Sequence, residues 1–385
     1  MSGPWSSVGS SRSRIRLTDF FGSGALTSLR DHLLPGLWPL LVAFAVCALV
    51  TPLAIVLSRR TGMIAEPGGR HAHTNPTPLL GGLAMYAGFA VAVLIFLPSY
   101  GATPGVLLVS GLAAGLLIVD DRRSMSPWVK LGVQIFLSLL AVVVFRIQIG
   151  YVSLPGHHLF ELGLLVTPVS MFWLLGMQNT VNFLDGVDGL AAGVILIVAL
   201  ILMLAAGELK DIDVVKLSGA LAGTCAGFLL FNFHPARIFM GDSGAHFLGI
   251  ALGMISILGV AKVAVAFALA VPVIALAVPI ADTAWAILRR RRRKESVATA
   301  DLLHLHHRLQ SFGLDPRQTC FVFYAASALL GALGLTLFGH GRVLAVVVVA
   351  TAALVSTVVA DLLQHGAWRI PAPFMRRLLG SSGSR

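Results

Sequence analysis

What most restricts this chain is the recurrence, along nearly its whole length, of apolar runs able to cross a lipid bilayer, for which about 20 residues suffice. Such runs fall at roughly 37–57, 79–97, 104–119, 129–147, 162–178, 189–205, 214–233, 244–260, 263–288, 319–339 and 342–362. Hydrophobic residues make up 57% of the chain and charged residues 12%, where a soluble domain carries about 25% charged. The expected fold is therefore an all-α polytopic membrane protein of about eleven transmembrane helices, forming one domain over 37–362. A Ser-, Gly- and Arg-rich tail over 1–36, able to form a short interfacial helix, precedes it, and a basic tail over 363–385 follows. The first apolar core starts only after Pro35 and has full spanning length, so no cleavable signal peptide is expected. Cys47, Cys225 and Cys320 are scattered within apolar runs, which suits buried thiols and neither a disulfide framework nor a zinc site.

The net charge of +11 would suggest nucleic acid in a soluble protein, but in a membrane protein basic residues gather in cytoplasmic loops. One alternate set of loops holds Arg59, Arg60, Arg70, Arg122, Arg123, Lys130, Arg237, the basic cluster between Arg289 and Arg317, and Arg369, Arg376, Arg377 and Arg385, most of the chain's 28 Lys and Arg. That set is assigned to the cytoplasm, with the N-terminus outside and the C-terminus inside, and no nucleic-acid partner is expected.

The same loops collect acids, amides and histidines. Asn179, Asn182, Asp185 and Asp188 lie within ten residues between two apolar runs, and glycines follow both acids. Such a bend at membrane depth survives only where protein or a watery cavity satisfies it. Asp120 and Asp121 end an apolar run and precede Arg122 and Arg123; they read either as a charged helix end paired with its own arginines or as carboxylates for Mg²⁺, a hard cation. In Asn232-Phe-His-Pro-Ala-Arg-Ile-Phe239-Met-Gly-Asp242-Ser-Gly244, glycines flank an acid and a hydroxyl where a run begins. This is an ordinary N-cap or a place where backbone amides hold an anion while Asp242 holds a metal, with Phe239 offering its face to a nucleobase.

His304, His306, His307 and Arg308, in the long loop over 289–318, lack zinc spacing and suit phosphate oxygens or a solvated basic face. Asp282 is either a functional acid or a helix-end partner of the Arg289 to Arg293 run, which itself reads as a headgroup anchor. Arg70, His71 and His73 form a further basic patch. Metal-binding acids, cations and an aromatic platform on one face describe a site for a nucleoside diphosphate and for metal-assisted phosphoryl transfer.

The pieces GLLIVDDRRSMSPWVKLGVQ, NTVNFLDGVDGLAAG, NFHPARIFMGDSGAHFLG and DLLHLHHRL, in that order, with RHAHTNPTPLLGGLAMY before them, resemble the polyprenyl-phosphate N-acetylhexosamine-1-phosphate transferase family over about Pro52 to Leu309. The resemblance implies transfer of a sugar-1-phosphate from a UDP-sugar to a polyprenyl phosphate at the cytoplasmic face of the plasma membrane, the first lipid-linked step of a cell-surface glycopolymer. It implies Mg²⁺, or Mn²⁺ in its place, held by Asp242. Phe239 is similar to the aromatic that stacks on uracil, and Asn179, Asn182, Asp185, Asp188 and Asn232 match the pocket that lines nucleotide and reaction centre.

By the same resemblance Asp120 and Asp121 match an acid pair, Lys130 a phosphate-side lysine, and His304, His306, His307 and Arg308 the loop that binds sugar and diphosphate. The H-x-H-H form of that loop looks like the branch using UDP-N-acetylglucosamine and not the N-acetylmuramoyl-pentapeptide branch. A phosphate monoester has a second pKa of about 6, so Asp120 and Asp121 suit orientation and charge balance better than proton removal. The partners implied are the UDP-N-acetylhexosamine, the polyprenyl phosphate and membrane lipid, with a homodimer as a further expectation. Three alternatives stand beside this reading: another UDP-amino sugar as donor; from a different class, a transporter or flippase of a lipid-linked anion; and an inactive scaffold with the family fold, which the retained acids argue against. A transporter would carry polar residues through to the opposite leaflet.

Overall fold

The computed structural model of the chain describes residues 23–66, 76–154, 158–261 and 316–337. Its helices are α1 (Ser23–Thr61), α2 (Gly81–Phe96), α3 (Thr103–Arg122), α4 (Pro127–Leu139), α5 (Val166–Leu184), α6 (Leu190–Glu208), α7 (Ile212–Asn232), α8 (Gly241–Ala261) and α9 (Pro316–Leu337). A π turn, Leu140–Val144, extends α4, and a 3-10 turn, Gly163–Leu165, precedes α5. Among the described residues seven stretches are long and apolar enough to cross a membrane, and α2 is a shorter apolar helix. The polytopic helical fold expected from the sequence is present. The expected runs 263–288 and 342–362, the loop over 289–318 and both outer tails lie outside or largely outside the described residues.

Two boundaries differ from the sequence reading. Helix α1 continues through Pro35 and Pro39, so position 36 falls inside a helix; neighbouring helices can absorb the groups a proline frees within an apolar bundle. Helix α5 runs past 178 to Leu184 and takes in Asn179 and Asn182, because both amides find partners described below.

Close packing of α1 on α7 explains one spacing in the sequence. Gly219, Gly223 and Gly227 recur every four residues and so share one helix face. A Cβ at Gly227 would lie 2.5 Å from the Phe44 carbonyl oxygen, and at Gly219 and Gly223 it would run into the carbonyls of Gly36 and Leu40. Small residues let the backbones meet, which supplies the dispersion contacts that hold helices together where lipid is as apolar as leucine. Helix α8 lies deepest, with 89% of its apolar window buried, and packs on α2, α3, α5, α6 and α7.

The start of α8 is fixed by backbone pairing. Strand β1 (Ile64–Ala65) runs antiparallel to β2 (Thr77–Pro78), with Ile64 opposite Pro78. Phe239 then donates its N–H to the Pro78 carbonyl at 2.8 Å, while Gly81 and Gly82 donate to the carbonyls of Phe239 and Met240 at 3.1 and 3.0 Å. The first orphan donors of α2 are thereby satisfied by the segment that leads into α8. At the other end of the bundle β3 (Tyr151–Leu154) pairs antiparallel with β4 (His158–Glu161), Tyr151 opposite Glu161.

Because the helices alternate in direction, the C-terminal ends of α1, α3, α5 and α7 and the N-terminal ends of α2, α4, α6 and α8 meet at one end. The contacts of Asp121, Lys130, Asn182 and Asn232 confirm this. Gly223→Val, which drives a branched side chain into the Leu40 carbonyl, is expected to cost roughly 1–3 kcal/mol and to lower the thermal midpoint by several degrees. Gly115→Val, at a position where a Cβ meets nothing within 4 Å, is expected to leave it unchanged. Size-exclusion chromatography after heating of the fluorescently tagged protein reads the difference.

Candidate active site

Helix α4 begins at a strong start signal: the Ser126 hydroxyl accepts the Val129 N–H at 3.4 Å and Pro127 occupies the first helical position. That start puts Lys130 in the first turn, facing the end of α3. Its ammonium lies 3.1 Å from Asp120 Oδ2 and 2.8 Å from Asp242 Oδ2. Asp120, whose side chain is 7% exposed, also accepts the Met125 N–H at 2.5 Å. Asp242 accepts from the Asn182 amide at its other oxygen. Four helices therefore meet in one cluster: Asp120 from α3, Lys130 from α4, Asn182 from α5 and Asp242 from α8.

Asp121 has a different task from its neighbour. Its carboxylate accepts the Asp242 N–H at 2.6 Å and the Ser243 N–H at 3.2 Å, so a side chain of α3 caps the N-terminus of α8. A carboxylate there also complements the positive end of the helix dipole. Gly241, with φ of +69°, makes the turn, and a Cβ on it would come within 2.6–2.7 Å of the Asp121 carboxylate; only glycine meets both conditions. Two local readings of the sequence are thereby corrected. The cap of the Gly-Asp-Ser-Gly turn comes from Asp121 and not from the turn itself, whose Ser243 hydroxyl points back to the Met240 carbonyl at 3.4 Å. Asp120 pairs with Lys130 and not with the adjacent Arg122 and Arg123, which are exposed.

The bend between α5 and α6 is held from outside. Asp188 accepts from the His234 ring at 2.8 Å and from the Ala236 N–H at 3.1 Å, which ties it to the loop before α8. Asn232, 2% exposed, accepts the Gly189 N–H at 3.1 Å and donates to the Ile238 carbonyl at 2.9 Å. Helix α9 braces the same bend: the Tyr324 hydroxyl donates to the Gly189 carbonyl at 2.6 Å, the Cys320 thiol to the Asp188 carbonyl at 3.2 Å, and Arg317 to the His234 carbonyl at 3.0 Å. Asp188 and Asn232 thus shape the wall of the site. Asp185 lies in the turn itself. Burial, and then the Asp242, Asp121 and Asp188 carboxylates around it, push its pKa well above the ordinary carboxylate range.

Phe239 is half-buried in the segment just before α8. His304, His306, His307 and Arg308, together with Arg70, His71, His73 and Asp282, lie outside the described residues.

Two buried residues beside the cluster were missed from the sequence. Gln134, one turn below Lys130, exchanges hydrogen bonds with Asn179, and its Nε2 lies 3.1 Å from Nε2 of the fully buried His246. An ionisable residue inside an apolar helix is a signal in itself, and His246 stood within GDSGAHFLG.

Among the described residues no group of three His, Cys, Asp or Glu forms a ready-made metal cage. Asp120 and Asp242, drawn together by one ammonium, supply the one or two carboxylates that Mg²⁺ takes when water and substrate phosphate complete its shell. The donor set fits that ion and lacks the sulfur or histidine ligands of a zinc site.

Compared with known proteins, residues 103–260 match the model of glycosyl transferase family 4. The chain is 35% identical over 292 residues to a probable undecaprenyl-phosphate N-acetylglucosaminyl 1-phosphate transferase of Bacillus subtilis, covering 74% of this chain and 81% of that one. It is 34% identical over 377 residues to a decaprenyl-phosphate N-acetylglucosaminephosphotransferase of Mycolicibacterium smegmatis, covering 89% and 92%. It is also 35% identical over 320 residues to a phospho-N-acetylmuramoyl-pentapeptide-transferase of Heliobacterium modesticaldum, covering 78% and 97%.

The division of labour between the adjacent acids can be tested without substrate. Asp121→Ala removes a helix cap and is expected to cost about 1–2 kcal/mol, whereas Asp121→Asn, which keeps an accepting oxygen, should recover part of that. Thermal midpoints of the purified variants measure both.

Proposed function

The chain belongs to glycosyl transferase family 4, and from that membership and the Lys130 cluster we propose that it transfers a sugar-1-phosphate, GlcNAc-1-phosphate, from UDP-GlcNAc to a polyprenyl phosphate. An oxygen of the lipid phosphate attacks the β-phosphorus of the UDP-sugar, the bond from that phosphorus to the bridging oxygen breaks, and UMP leaves with the oxygen. The product is a polyprenyl-diphospho-N-acetylglucosamine. The observation that carries the reading is the ammonium of Lys130 bridging Asp120 and Asp242 at the head of α8. Three acids, Asp120, Asp121 and Asp242, crowd a site with Lys130 among them, so an anionic diphosphate needs further cations before it can approach.

Asp242, with Asp120 beside it, would hold Mg²⁺, which when bound neutralises diphosphate oxygens and stabilises the charge that develops during transfer. The remaining work falls to the chain's own groups. Asn182 orients Asp242 through its amide. Lys130, released from a carboxylate, is placed to bind a phosphate oxygen. Asp121 keeps the turn at Gly241 in place, so that Phe239, three residues before Asp242, presents its ring to the uracil. No general base is needed for the acceptor, since a phosphate monoester with a second pKa of about 6 is already mostly dianionic at neutral pH.

A cytoplasmic orientation is supported by charge. Arg59, Arg60, Arg122, Arg123, Lys130, Arg237 and Arg317 stand at the same end of the bundle as the site, while Arg30, Arg146, Lys210 and Lys216 stand at the other. The GlcNAc assignment rests on the H-x-H-H pattern of His304 to His307 and on the activities for which the Bacillus and Mycolicibacterium relatives are named. In a detergent-solubilised assay with radiolabelled UDP-GlcNAc and undecaprenyl phosphate, Asp242→Asn is expected to abolish transfer at any Mg²⁺ concentration. Activity within about tenfold of wild type, less than the loss typical of one electrostatic group, would remove Asp242 from the metal role. Mass spectrometry of the lipid product from a panel of UDP-amino sugars, UDP-N-acetylmuramoyl-pentapeptide included, tests the donor.

A further inference from the structure

Beneath the cluster lies a second polar layer built on the same three helices. Lys130, Asn182 and Asp242 form the upper layer, from α4, α5 and α8; Gln134, Asn179 and His246 form the lower one, each a helical turn deeper on its own helix. The direction of every hydrogen bond in the lower layer follows from one backbone carbonyl. Asn179 donates from Nδ2 to the Leu175 carbonyl at 2.8 Å and to Gln134 Oε1 at 3.0 Å, which turns its own Oδ1 toward Gln134 Nε2 at 3.3 Å. Gln134 Nε2 spends its second hydrogen on His246 Nε2, 3.1 Å away. That ring nitrogen must accept, so the imidazole is neutral with its hydrogen on Nδ1.

Gln134 is 2% exposed and His246 fully buried, and beyond Gln134 the His246 imidazole meets only the Gln178 backbone among the described residues, too poorly aligned for a full hydrogen bond at Nδ1. A leucine would fill a similar volume without a buried polar nitrogen, which costs about 1–3 kcal/mol when unpaired. What the imidazole offers in return is the acceptor that joins α8 to α4.

We propose that Gln134 and His246 are positioning residues, and that the Asn179–Gln134–His246 chain sets the rotation and depth of α4, α5 and α8 so that Lys130, Asn182 and Asp242 converge above it. Neither residue touches the reacting groups. The inference deepens the proposed function and rests on it only for its kinetic readout, because the seating of Lys130 between Asp120 and Asp242 can be measured with no substrate present.

The test uses the full-length protein in detergent. His246→Leu and Gln134→Leu are expected to lower transfer about 10- to 100-fold, the usual effect of losing the group that orients a ligating or reacting residue. The same variants should raise the rate of Lys130 acylation by acetic anhydride severalfold relative to Lys210, an exposed lysine at the opposite end, as read by mass spectrometry. His246→Gln, whose Oε1 can accept from Gln134, is expected to recover most of both losses, and His246→Asn, too short to reach, is expected to behave like His246→Leu. The last two variants give the same comparison if His246→Leu does not fold. Lys130 labelling within twofold of wild type in Gln134→Leu and His246→Asn would overturn the inference. So would a His246→Gln variant no better than His246→Asn. A wild-type protein that transfers no sugar phosphate from any donor would sink the proposed function alone and leave the labelling experiment to decide this inference.

Discussion

The carboxylate of Asp121 closing the N-terminus of α8 is the contact on which the rest of the site depends. A helix that starts inside an apolar bundle has four N–H groups without intrahelical partners, and here two of them point at a carboxylate carried by another helix. The bond is charge-assisted and aligned with the helix dipole, so it ties α3 to α8 at one depth and one rotation. Once that depth is set, Asp120, the preceding residue, and Asp242, the residue whose N–H is held, stand on either side of Lys130. The adjacent acids are therefore unequal: one caps α8 and the other pairs with Lys130.

The same economy governs how polar groups survive near hydrocarbon. An unpaired charge or amide there is costly, so such groups occur at helix ends or in mutually satisfied sets. Asp188 and Asn232 give their side chains to backbone and ring groups of neighbouring turns, and α9 donates three more hydrogen bonds to the same region. The bend between α5 and α6 is thus irregular in backbone but not loose.

Much of this was legible in the sequence because it rests on local signals. Spanning runs show themselves by length and apolarity, and nine of them coincide with helices in the described residues. Asp120, Asp121, Asn182, Asp185 and Asp242 stood out because charge and amides are rare in such a chain, and the structure brings them together. What the sequence could not show was which acid faced which partner, since Asp121 and Asp242 are 121 residues apart and their bond is set by helix packing. It also could not show that Asn232 spends both ends of its amide on backbone. Gln134 and His246 escaped for a different reason: each stands alone in an apolar stretch, and only the crossing of α4, α5 and α8 makes them neighbours. The end of α5 was read too early because Asn179 and Asn182 look like loop residues until their partners are known.

Lys130 explains how a site so rich in carboxylates is held together. With Asp120, Asp121 and Asp242 within hydrogen-bonding reach of one another's partners, mutual repulsion at short range would amount to about 4 kcal/mol per pair at an intermediate dielectric, and an ammonium between two of them offsets much of that. The same arrangement bears on the proposed reaction. In the proposed reaction a divalent cation would take the place of the ammonium at Asp242, and a diphosphate oxygen would receive Lys130. Under the proposed function, joint arrival of the two would keep every charge paired at a site where Asp120, Asp121 and Asp242 surround one ammonium.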